Sequence, residues 1–175
     1  MVFDQHEHFV KMTDRNRYRV AGSNNAILLT VPMVNGRDQR IAMSDVQIDN
    51  SNSWQVHHWR TIRSVYGRAP FFFHYEPLLQ ALYEKQYSSL VAFNTETVGW
   101  VKRQLGLRYQ EEFASGFLKN YPAGVNDIRS LKTIPVCSAT YYQVFADRLG
   151  FLPGLSILDL LFSEGPQAGA WLKNL

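Results

Sequence analysis

The sequence predicts an α+β fold, with an N-terminal mixed β-sheet region followed by helices in a single compact domain. Two patterns carry this prediction. Up to Asp49 the apolar residues alternate, or gather in short β-branched runs between Gly and Asn. Beyond Asp49 they recur every three to four residues, as on one face of a helix. The chain has 175 residues, close to the length of one domain, so residues 1–175 are taken as one unit.

In chain order, Val2-Phe3 reads as a short strand. Arg17–Ala21 alternates, and Ala26–Val34 (AILLTVPMV) is an apolar, partly β-branched run. Gly22-Ser-Asn-Asn25 between them supplies residues that tolerate positive φ, as a tight hairpin turn requires. Ser44–Asp49 (SDVQID) puts Val46 and Ile48 on one face, the pattern of a half-buried strand. Ser53 is placed to cap a helix that carries Trp54, His58, Ile62 and Val65/Tyr66 on one face and stops at Gly67. Glu76-Pro77 reads as a second helix start with Pro at the first helical position, and Leu78, Ala81 and Leu82 form its stripe. Ser88/Ser89 opens a longer helix, with Leu90, Phe93, Thr97 and Trp100/Val101 inward and Gly106 as its stop. Residues 108–133 are polar, with room for a short strand. Tyr141–Phe145 fits either a strand or a helical turn. Two short helices close the chain, Ser156–Phe162 and Pro166–Leu172, divided by Glu164-Gly165.

Composition narrows the function classes. Apolar residues make up 46% and aromatics 14%, which excludes disorder for most of the chain. A single cysteine, Cys137, excludes an internal disulfide framework and a Cys-rich zinc site, and a small buried thiol is its simplest role beside a nucleophilic one. No apolar run is long enough to span a bilayer, and no signal pattern opens the chain, so a cytoplasmic protein without a transmembrane segment is expected. Neither a Gly-rich phosphate loop nor a His-Glu-x-x-His motif occurs, so no metal and no cofactor are expected. The net charge of +3 is too small to imply nucleic acid as a partner. It is unevenly placed, because residues 1–70 hold nine Lys/Arg against six acids, while the remainder holds nine of each. That locates the excess in a region able to form a pocket for a small anion.

The candidate residues follow from this. In Lys11-Met-Thr-Asp-Arg-Asn-Arg-Tyr-Arg19, an extended strand would project Arg15, Arg17 and Arg19 from one face, where guanidinium forks suit phosphate or carboxylate. The alternative is a solvated face partly paired with Asp14 or Glu7. His58 lies on the apolar stripe of its helix, so it is either a hydrogen-bonded core residue or an acid/base at the inner end of a pocket. Tyr141-Tyr142-Gln143 offers hydroxyls and an amide that could orient a sugar or a nucleobase, or could simply pack. Ser156 precedes Asp159 by three residues. This pair reads as a capping box, or as a Ser with an Asp able to orient a His, but no Gly-x-Ser-x-Gly elbow supports the second.

Taken together, several stretches resemble the WbqC-like protein family of bacteria. They are Lys11–Tyr18, Leu29-Thr-Val-Pro32, Trp54-Gln-Val-His-His58, Tyr66-Gly-Arg-Ala-Pro-Phe-Phe72, Asn94, Tyr142-Gln-Val-Phe145, Gly150–Phe162 and Glu164-Gly-Pro166. The resemblance implies a place among surface-polysaccharide and O-antigen cluster proteins. It also implies transfer of an aminoacyl or other small acyl group to a nucleotide-activated or lipid-linked amino sugar. A non-catalytic binding or assembly subunit working with a pathway enzyme is the alternative. Of the residues at these motif positions, His58 and Asp159 are the candidates for catalysis, and Lys11, Arg15, Asn16, Arg17, Tyr142, Gln143 and Ser156 those for substrate binding. It further implies a strand-helix segment ahead of Val2-Phe3-Asp4, so that the chain reads as a shortened member.

Overall fold

The computed structural model describes residues 1–10, 12–35, 40–129 and 140–173. Strand β1 (Val2–Phe3) pairs in parallel with β4 (Glu112–Phe113). Strands β2 (Arg17–Val20) and β3 (Ile27–Thr30) pair antiparallel, in register from Arg17↔Thr30 to Val20↔Ile27. The expected hairpin is therefore present. Its turn requires a glycine at position 22, because a Cβ there would run into the Asn25 carbonyl oxygen. Strand directions are mixed, but the two pairs form separate two-stranded sheets. The long apolar run after the turn stays a strand for four residues only, since Pro32 cannot donate to a ladder.

Residues 44–49 depart from the expected strand. Met43–Asp45 forms a 3-10 turn, and the rest of the segment makes only isolated bridges, Gln47↔Ser89 and Met33↔Ile48. Val46 and Ile48 are nevertheless buried as their alternation required. The backbone partner is a helix start instead of a strand. Leu90 donates its N–H to Val46 O, and Ile48 donates to Ser88 O.

Helix α1 (Trp54–Tyr66) buries Trp54, His58, Ile62 and Tyr66 along one stripe and ends at Gly67. Its N-cap position is Ser53, as expected, but that side chain makes no capping hydrogen bond. Helix α2 (Phe72–Glu84) begins one turn earlier than Glu76-Pro77 suggests and runs through Pro77. The cost is limited to the bond that Pro77 cannot make, on a face where Phe73 and Pro77 are exposed. What starts the helix is apolar burial: Phe72 and Tyr75 pack on Phe162. Helix α3 (Leu90–Leu105) follows its sequence signals at both ends. Ser89 Oγ accepts from the Ala92 N–H, and Gly106 takes the left-handed conformation at φ 64°.

At the C-terminal end, Tyr141–Gln143 is irregular and Val144-Phe145 turns into α4 (Ala146–Leu149), so no strand forms there. Helix α5 (Ile157–Glu164) buries six residues in a row, Leu158 to Ser163. A helix buried on every side belongs at the centre of a core, and α5 occupies that position with Asp159 and Ser163 among its buried residues. Ser156 N–H donates to Arg19 O at 2.7 Å, and Phe71 N–H donates to Phe162 O at 2.9 Å, so α5 is tied to both β2 and the start of α2. A 3-10 turn (Gly165–Gln167) leads to α6 (Ala168–Lys173). The core thus joins the inner face of the hairpin (Val20, Leu29) to α1, α2, α3 and α5 in one cluster. This is the α+β arrangement the sequence predicts. No helix among the described residues is long and apolar enough to cross a membrane.

Candidate functional site

Polar side chains inside this core gather into two networks. The first is centred on His58, which is 2% exposed. Its Nε2 lies 3.2 Å from Thr30 O, and its Nδ1 lies 3.0 Å from the Tyr18 hydroxyl. A carbonyl oxygen only accepts, so Nε2 carries the proton and Nδ1 accepts from Tyr18. The Tyr18 hydroxyl is in turn 2.7 Å from that of Tyr83, which gives one continuous direction of donation: Tyr83 to Tyr18 to His58 to Thr30. Burial is the main force on the imidazole and holds its pKa down at about 4, so the ring is neutral at pH 7. Burial likewise raises Tyr18 and pushes Tyr83 up to about 12, which keeps both hydroxyls protonated. Trp54 and Tyr18 meet the ring edge-on, at centroid distances of 5.1 and 5.5 Å.

The second network surrounds Asp159, which is fully buried. The Tyr141 hydroxyl donates to Oδ2 at 2.8 Å, whereas Oδ1 has no hydrogen-bond partner. Burial pushes the carboxyl above its usual range, opposed by Tyr141, Tyr66 and Gln143. Gln143 belongs to the same network. Its Nε2 donates to Leu152 O and to the Tyr141 oxygen, and its Oε1 accepts from the Leu152 N–H at 2.8 Å, closing the turn between residues 143 and 152. Ser156 caps α5, accepting from the Leu158 N–H at 3.2 Å. It forms only half of a capping box, because its own N–H goes to Arg19 and Asp159 goes to Tyr141.

The basic stretch is divided. Arg15 closes a two-pronged pair on Glu7, with Nε to Oε1 at 2.9 Å and Nη2 to Oε2 at 2.6 Å, and also donates to Arg129 O. Glu7 is one of the two partners that the solvated-face alternative names. Asn16 is 4% exposed and donates to Val31 O, with its Oδ1 left unpartnered. Arg17 is half-buried, and its Nε is buried without a partner. Asn94 Nδ2 donates to Arg15 O and ties α3 to this stretch. Tyr142 points outward at 59% exposure. Lys11 and Cys137 lie outside the described residues.

The structure therefore brings Gln143 and Asp159 together through Tyr141, and holds His58 in a different network. Arg15 belongs to neither. The partners that complete the His58 network, Tyr18 and Tyr83, are absent from the sequence reading. Tyr18 had a signal, since it alternates with Arg17 and Arg19 and so faces the core. Tyr83 was missed because the expected stripe was Leu78, Ala81 and Leu82, whereas α2 buries Phe72, Tyr75, Leu79, Leu82 and Tyr83 and leaves Leu78 and Ala81 exposed. Among the described residues no three His, Cys, Asp or Glu side chains gather as metal ligands.

Tyr83 also lines a cavity of about 380 Å³ between the first turns of α1 and the last turn of α2, together with Trp59, Gln55 and Arg60. A more open concavity of about 400 Å³, at Gln5, Ser44, Ser89 and Phe113, touches none of the candidate residues. A family model described as the WbqC-like protein family matches residues 1–142. All four members of the His58 network fall within that match, whereas Gln143, Ser156 and Asp159 lie beyond it. No curated protein and no solved structure matches the chain.

Proposed function

Because the chain belongs to the WbqC-like protein family, a family linked to surface-polysaccharide clusters, we propose that it binds a nucleotide-activated or lipid-linked amino sugar. We further propose that it transfers a small acyl or aminoacyl group onto that sugar. The observation that carries this reading is the His58 network. Three elements, the β2–β3 hairpin with Tyr18 and Thr30, α1 with His58 and α2 with Tyr83, meet in one hydrogen-bonded line that ends on a residue lining a cavity.

The chemistry assigned to this line is proton transfer. The sugar's amine or hydroxyl attacks the carbonyl carbon of an activated acyl donor. A C–N or C–O bond forms, and the donor's bond to its leaving group breaks. The proton lost by the acceptor passes through Tyr83 and Tyr18 to His58 Nδ1, and returns by the same line to the leaving group. A base with a pKa near 4 is weak at pH 7, so it serves a proton already acidified by bond formation rather than one on the free amine. Arg17, whose Nε is buried without a hydrogen-bond partner, is assigned to a phosphate or carboxylate of the substrate. Arg15 is assigned to holding the Glu7 and Arg129 segments, since its fork is already filled.

Calorimetric titration with uridine diphosphate amino sugars tests the reading. The wild type should bind and Arg17→Ala should lose binding. Tyr18→Phe, which cuts the line, should keep binding and lose transfer. No binding by the wild type to any of them would overturn the nucleotide-activated substrate. The low basicity of His58 favours a second reading, a non-catalytic binding or assembly subunit. Retained binding without turnover, with a pathway enzyme co-purifying from the native host, would select it.

A further inference from the structure

The cavity between α1 and α2 has a wall that is specific in chemistry. Trp59 lies nearly parallel to Phe72 and Tyr83, at interplanar angles of 23° and 26° and 6.2 Å between centroids in each case, so its indole is a fixed part of the wall. Gln55 is 7% exposed and donates to Lys85 O at 2.6 Å, which fixes the direction of its amide oxygen. Asn50 is held at both ends, donating to Tyr87 O and accepting from Trp54 Nε1. Asn52, Arg60 and Glu84 complete the wall on the solvent side.

We infer that this cavity is a carbohydrate subsite holding one pyranose ring against the wall formed by Trp59 and Tyr83. The inference rests on the proposed sugar-directed function and names where the sugar sits. Three observations support it. The volume, about 380 Å³, is at the small end of ligand pockets and suits a single ring with its substituents. An aromatic face beside amides locked by the backbone matches a ring with apolar C–H faces and a rim of hydroxyls, which need donors and acceptors in fixed directions. The charges in the wall cancel, since Arg60 stands with Glu84. A wall without net charge offers a diphosphate no net attraction, so the nucleotide or lipid part is placed outside the cavity. Tyr83 closes the argument, because it lines the cavity and its hydroxyl opens the line to His58.

The test uses two probes, N-acetylglucosamine and its uridine diphosphate ester, titrated by tryptophan fluorescence and ligand-observed NMR. Two variants change exposed positions and leave the core bonds intact. Asn52→Ala removes a polar wall group, and Val56→Trp fills the cavity from a position 46% exposed. For the wild type we expect free-sugar binding with Kd in the millimolar range. Asn52→Ala should weaken it several-fold, and Val56→Trp should abolish it. Arg17→Ala should leave free-sugar binding unchanged while weakening the diphosphate ester. If both probes bind Val56→Trp as they bind the wild type, the subsite is refuted and the sugar-directed function stands. If the free sugar binds in the cavity and the ester does not, the subsite stands and the nucleotide-activated substrate falls. If neither probe binds the wild type, both are overturned.

Discussion

The buried imidazole makes the strongest quantitative prediction, which concerns stability against pH. His58 titrates near 6.5 when unfolded and near 4 in the fold. Its folded pKa is depressed, so between these values the unfolded chain binds a proton that the folded chain does not. Stability from this residue is therefore complete above pH 6.5 and is lost as pH falls toward 4. The full difference of about 2.5 units corresponds to roughly 3 kcal/mol, at about 1.4 kcal/mol per unit. Between pH 7 and pH 4.5 the expected loss is about 2.4 kcal/mol. Carboxylates and other histidines titrate in the same window, so the measurement is a difference. Urea unfolding of wild type and His58→Gln at both pH values isolates the term, since Gln can still donate to Thr30 O and does not titrate. The wild type should lose about 2 kcal/mol more than the variant on acidification. Equal losses would refute the neutral, buried imidazole, and with it the direction of the hydrogen-bonded line.

Asp159 should show the opposite sign. Its folded pKa is raised above the usual 3.8, so the stability it confers is complete below that value and is lost as pH rises through the folded pKa. Asp159→Asn should therefore gain on the wild type between pH 3.5 and pH 7 in the same urea experiment. Tyr141→Phe leaves the buried carboxyl with neither oxygen bonded to the tyrosine and should cost about 1–3 kcal/mol at pH 7, read from the urea midpoint. Gly165→Ala should cost about 2–4 kcal/mol, because the residue sits at φ 54° and a Cβ would overlap the Phe71 ring; a thermal midpoint within 2 °C of wild type, about 0.5 kcal/mol on this scale, would contradict it.

The legible parts of the fold were those fixed by local chemistry. Gly22–Asn25 marks a hairpin because a tight turn needs such residues, and Ser89 and Gly106 mark α3 because orphan N–H and C=O groups demand caps. Residues 44–49 misled because alternation reports which side chains are buried, not what the backbone bonds to. Val46 and Ile48 are buried, yet the groups that pair with them belong to Ser88 and Leu90 at a helix start. Pro77 misled for a related reason. Proline is tolerated inside a helix when burial of Phe72 and Tyr75 on Phe162 outweighs one lost bond, and no local pattern announces that packing. For the site, the place of His58 on the apolar stripe was readable from its spacing with Trp54 and Ile62. Its partners were not, because Tyr18 and Tyr83 stand 40 and 25 positions away and only the packing of hairpin against helices brings them together.

The two buried networks differ in what they can do, and physical access decides between them. Around Asp159 each polar side chain is already spent: Gln143 donates to and accepts from the Leu152 backbone, Ser156 accepts from the Leu158 N–H to cap α5, and Tyr141 donates to the carboxylate itself. That network earns its place by fixing α5 within the core, and an unpartnered carboxyl oxygen is the cost of doing so without a cation. Around His58 the bonds run in one direction, from a residue that lines a cavity to a ring nitrogen with a lone pair. Since the imidazole and both phenols are neutral at pH 7, nothing there attracts substrate by charge. Recognition must come from outside the line, from the cavity wall and from Arg17, while the line itself can only accept a proton and hand it back. Phe at position 18 would fill the same space but leave the His58 Nδ1 and the Tyr83 hydroxyl without their partner, at a cost of about 1–3 kcal/mol that an ordinary domain survives. Retained folding with lost transfer in Tyr18→Phe is thus the result that separates function from packing at this site.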